Sequence, residues 1–200
     1  MTYMARPMQR SYDMHIFIAA TLAVLVLGTG AAHADTYLSL GVGSEAVLGG
    51  ELENEFHTDQ VSTGRVAIGH RQAGFAVEAV GFGTGLRMSE DSLSESSARS
   101  ISIGVDVKYH IGILAGLEGY GRAGLHKSWL SSDDESFTGG DFDGSGHIFG
   151  LGLDYVFPVP VVAATVWLDY SHQTMSLQDA FARTMNGTVD MITVGMSIGI

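Results

Sequence analysis

The chain has no cysteine, only three prolines, and ten basic residues against 22 acidic ones. Each scarcity excludes something. Without cysteine there is no disulfide framework and no thiolate metal centre. A formal net charge of −12 removes the basic surface by which proteins hold nucleic acid or anionic lipid headgroups. Charged residues make up 16%, against roughly 25% in ordinary soluble domains. Beyond residue 34 no apolar run reaches the roughly 18 residues that a spanning helix needs. Glycine, by contrast, is abundant: 27 of 200 residues, near twice the usual share of about 7%.

The first segment reads as an address. Met14 to Ala34 is MHIFIAATLAVLVLGTGAAHA, with Arg6 and Arg10 upstream, an apolar core from Ile16 to Leu27, and small residues at Ala32-His33-Ala34. This pattern predicts a cleaved secretory signal peptide over residues 1–34 and one exported domain over residues 35–200. The competing reading is an uncleaved anchor. Met14 is an alternative start.

The rest alternates with a period of two, the signature of strands. The clearest case is the last stretch. Ile192, Val194, Met196, Ile198 and Ile200 share one face, and Thr193, Gly195, Ser197 and Gly199 the other. Eight such segments are predicted: 36–43, 62–70, 74–84, 100–110, 114–129, 147–157, 161–171 and 189–200. Segment 74–84 has poor parity, because Val80 and Phe82 share the face of Glu78. The connections alternate between long (44–61, 85–99, 130–146, 172–188) and short (71–73, 111–113, 158–160).

Two architectures compete: a membrane barrel and a soluble barrel such as a lipocalin-like binder. A soluble barrel carries charge outside. Here the minority faces carry Arg65, Glu78, Asp106, Lys108, Glu118, Arg122, Asp154 and Asp169, flanked by Gly and Ser, while the majority faces are apolar. Buried charges must be paired, and three bases against five acids come close to balance. The reading is an all-β, eight-stranded, antiparallel up-and-down transmembrane barrel, with long loops outside the cell and short turns in the periplasm. Closure removes the apolar edge that the last segment would otherwise present. Phe75, Tyr109, Tyr155 and Phe157 near the turns, and Trp129 and Phe149 near the loops, suggest two aromatic girdles.

Signal peptide, strand count, loop alternation and the terminal segment VDMITVGMSIGI together resemble the small outer-membrane barrels of the OmpA-transmembrane-domain or OmpX type. The resemblance is architectural and rests on no sequence motif. It implies residence in the cell outer membrane, contact with membrane lipid and lipopolysaccharide, and recognition by the barrel-insertion machinery. The family usually ends in an aromatic residue; this chain ends in Ile200.

Little chemistry is legible on this scaffold. An eight-stranded barrel is narrow enough for side chains to fill, so the interior charges read as a plug and no open pore is expected. No cofactor is called for. His126 and Ser128, two apart on a strand, resemble the His-x-Ser of outer-membrane lipid A deacylases. Their parity points inward, however, and the third group such chemistry needs is missing nearby, so no enzyme is expected. Asp141 to Ile148 resembles the start of an EF-hand loop but has Gly152 where the bidentate Glu belongs. Asp133, Asp134, Asp141 and Asp143 are at most weak calcium ligands. His70 and His110, beside short turns, read as interfacial polar residues. The acidic loops suggest divalent-cation bridging to lipopolysaccharide or a basic extracellular partner.

Overall fold

A computed structural model describes residues 35–55, 61–88, 96–132, 141–157, 163–179 and 181–200. The expected signal peptide, Asp133 and Asp134 lie outside them. The strands are β1 (Asp35–Gly50), β2 (Val61–Gln72), β3 (Phe75–Met88), β4 (Ser96–Leu114), β5 (Leu117–Ser132), β6 (Phe142–Phe157), β7 (Ala164–Gln178) and β8 (Thr184–Gly199), with a one-turn helix α1 (Glu51–Glu55) after β1. They form a closed antiparallel barrel in which each strand pairs with its sequence neighbours and β1 meets β8. The terminal segment closes the ring: Leu38 pairs with Ile198 and Leu40 with Met196. Beyond β8, the Ile200 N–H donates to the Thr36 carbonyl at 2.8 Å.

The wall has two zones with opposite polarity. On the turn side the outward residues are apolar and exposed, such as Leu40, Val66, Ile103, Leu151, Leu168 and Val194. The inward residues there are charged. On the loop side the chemistry inverts. The inward residues become a buried apolar cluster including Leu48, Leu130, Phe142, Ile148, Leu177, Met185 and Met191, joined by Leu52 of α1. The switch is sharp. Outward Tyr170 and Ile192 form one cross-strand pair, and the next outward pair is His172 with Asp190.

This inversion corrects the predicted loops. Four strands run at least five residues past their predicted loop-side ends. β1 continues to Gly50, β6 starts at Phe142, and β7 and β8 meet across a short turn after Gln178. The strands do not stop at the boundary; the apolar set moves to the other face, which reads as a loss of the pattern. In that turn Asp179 accepts hydrogen bonds from the Phe181 and Arg183 N–H groups at 2.9 and 2.8 Å. The EF-hand-like stretch is likewise part of β6 from Phe142 on.

Inward glycines make room for large rings. A Cβ on Gly195 or Gly41 would lie 2.3 or 2.1 Å from the Trp167 ring, and one on Gly152 would lie 2.2 Å from Tyr120. Gly41 and Gly195 face each other across the closing seam, so Trp167 lies over the join. Gly195→Val is expected to cost about 1–3 kcal/mol of stability by overpacking. Urea unfolding in detergent, followed by gel mobility of unboiled samples, measures it. Gly83→Ala, where a Cβ meets nothing within 4 Å, is expected to unfold like the wild type.

Candidate functional site

Among the described residues, the lumen is the one place where charge is concentrated and enclosed. Alternation along each strand aims these side chains inward, and cross-strand register brings them level. Glu78, fully buried, forms one hub. It accepts hydrogen bonds from Arg65, from Tyr37 at 2.8 Å and from Lys108 at 3.0 Å. Arg122 forms the second. Its guanidinium donates to Asp106 at 2.7 Å, to Asp169 at 2.8 Å and to the Ser171 hydroxyl at 2.7 Å. Tyr120 donates to the other oxygen of Asp169 at 2.8 Å. Trp167 lies 5.0 Å from Arg65, and Phe82 lies 5.3 Å from Arg122. These cation–π contacts explain why an aromatic residue shares the Glu78 face of β3: inward Phe82 covers two guanidinium groups.

All eight predicted interior charges point into the barrel, though they do not form one cluster. Glu118 is at the turn-side rim, where Arg71 binds it through both guanidinium nitrogens at 2.7 and 3.0 Å. Asp154 pairs with His110 at 3.2 Å. His110 is therefore no interfacial residue; it is 7% exposed and faces the lumen. Its other ring nitrogen approaches the Gly74 carbonyl at 3.2 Å.

Above the charges lies an uncharged polar layer. Ser128 bonds Ser102 at 2.7 Å, Gln173 donates to Ser102 at 3.1 Å, and the His126 Nε2 meets Gln173 at 2.9 Å. His126 and Ser128 are both buried and each has another partner; no hydrogen bond joins them. Of the proposed calcium ligands within the described residues, Asp143 points outward and pairs with Lys127 at 3.3 Å, while Asp141 is exposed. Tyr37, Arg71, Tyr120, Trp167, Ser171 and Gln173 complete the lumen and were not singled out in the sequence. Their signal was parity alone: each shares a face with a predicted interior charge or lies opposite an outward apolar residue.

Two solved structures show what this arrangement is. Neisserial surface protein A superposes with a TM-score of 0.53 at 14% identity, over 84% of this chain and all of that one. Ail of Yersinia pestis, in complex with the heparin analogue sucrose octasulfate, superposes with a TM-score of 0.53 at 12% identity, over the same shares. The fold is that of the small outer-membrane β-barrels. No family model matches the chain, and no curated protein sequence matches it.

The paired lumen makes a sharp demand on Arg122 of this barrel. Arg122→Met leaves Asp106 and Asp169 buried without a counter-charge, which is expected to cost about 3–5 kcal/mol. Arg122→Lys restores charge but not the planar fork that reaches three acceptors, and is expected to recover only part of the loss. Urea midpoints of the folded protein in detergent order the three chains as wild type, Lys, Met.

Proposed function

We propose that the protein is an outer-membrane barrel without an open pore, with a structural or surface-interaction role. The observation that carries this reading is the paired polarity of the wall. Apolar residues face outward over the same zone in which charges face inward, and only a lipid surround makes that favourable. A soluble lipocalin-like barrel would reverse it. The lumen is blocked in succession by the two charge hubs, the Ser102–His126–Gln173 layer and the apolar layer capped by Leu52.

The exposed acids Glu51, Glu53 and Asp141 support a surface that meets basic groups, or phosphates through divalent cations. Ail binds a sulfated ligand; an acidic surface of this kind would repel one. The reading includes no catalysis. His126 and Ser128 serve the lumen, enclosed between charged and apolar layers where a lipid ester has no access.

Planar-bilayer recording and a lipid assay test both halves of this reading. Wild-type barrel is expected to give no conductance steps and no release of fatty acid from lipopolysaccharide vesicles. Resolved unitary conductance would overturn the closed lumen. Fatty-acid release abolished by Ser128→Ala would establish the hydrolase instead.

A further inference from the structure

One groove on the outer wall is shaped by residues whose form nothing inside the protein requires. It has a volume of about 590 Å³ and runs across β4 to β7. Gly121 and Ala123 form its floor, Val107 and Tyr109 one wall, and Phe149 and Leu151 the other. Inward Gly41, Gly195 and Gly152 are explained by the rings they seat. Gly121 is different. A Cβ there would meet only Leu151, at an ordinary 3.8 Å. The missing side chain serves no packing contact and leaves the groove open.

The groove ends in polar chemistry. Tyr170 and His172 line it, at the switch from apolar to polar outward residues. The Tyr170 hydroxyl donates to Asp190 at 2.8 Å, and the His172 Nδ1 meets the same carboxylate oxygen at 2.9 Å. This holds the ring with its Nε2 free on the outer surface. A carboxylate on the outer wall of a membrane barrel is costly unless it lies near the interface. The trio therefore marks the loop-side boundary of the apolar band, and the groove descends from it into that band.

We propose that the groove seats one acyl chain of lipid A, with the free His172 nitrogen hydrogen-bonded to the polar region where that chain joins its sugar. The proposal rests on the reading of the chain as an outer-membrane barrel. The occupant follows from placement. The groove is apolar and faces the bilayer, and its polar end lies on the loop side, which is the leaflet that carries lipopolysaccharide. Hydroxyl and amide groups at the chain–sugar junction suit an imidazole nitrogen held beside the Asp190 carboxylate better than a bare phosphate would.

Native mass spectrometry of the full barrel in detergent, titrated with purified lipid A or with phosphatidylethanolamine, tests it. Wild type is expected to retain one lipid A. Gly121→Leu and Ala123→Leu, which fill the floor, and His172→Ala are each expected to weaken retention about tenfold. Equal retention by wild type and by either folded floor variant overturns the groove. Retention of phosphatidylethanolamine as strong as that of lipid A overturns the assigned occupant. Gel mobility of unboiled samples reads the barrel separately. A wild type with no heat-modifiable form would sink the membrane-barrel reading itself, whereas a folded wild type that retains no lipid A sinks only this proposal.

Discussion

Charges enclosed in a narrow barrel have to be neutralised where they stand, and the rest of this structure is arranged around that constraint. Arg122 and Glu78 are each surrounded by three or more partners. Breaking one such contact leaves an uncompensated charge rather than an ordinary lost hydrogen bond. The glycines opposite Trp167 and Tyr120 exist because the large groups that complete these hubs need wall without side chains. Phe82 shares the inward face of Glu78 for the same reason. A lumen assembled this way is specific in register, since a one-residue slip of any strand would carry its charges to the outer face.

The constraint applies only where lipid surrounds the wall. Along β7 and β8, past His172 and Asp190, the outer face is polar, and the interior changes accordingly to Met175, Leu177, Met185, Val189 and Met191. One continuous set of strands thus serves two solvents. On the turn side it is built as a membrane barrel and on the loop side as a soluble one. The same row ends the lipid-facing groove, so the boundary of the bilayer, the change of core chemistry and the polar end of the proposed lipid site coincide.

Much of this was legible in the chain. Strict alternation along 100–110 and 189–200 placed Asp106, Lys108 and the closing strand on their faces, because period-two patterns survive any tertiary context that has a lipid side and a lumen side. Strand ends on the loop side were not legible. There the apolar residues change parity between Ile192 and Met191 and between Tyr170 and Met175, and a search for one unbroken stripe stops at the change. His110 was misplaced because a histidine beside a turn looks interfacial. Its parity with Asp106 and Lys108 and its pairing with Asp154 put it in the lumen. Trp167 and Tyr120 carry no charge to flag them, and their role emerges only when the glycines across from them are seen as their seats.

The absence of native cysteine makes the polarity inversion directly measurable. Single cysteines placed along β8 from residue 186 to 198 can carry nitroxide labels in lipid vesicles, with collision rates measured against oxygen and a water-soluble nickel chelate. The account predicts oxygen-dominated collisions at 192, 194, 196 and 198, chelate-dominated collisions at 186, 188 and 190, and little of either at 189 and 191. Chelate-dominated collisions at 192 through 198 would contradict it.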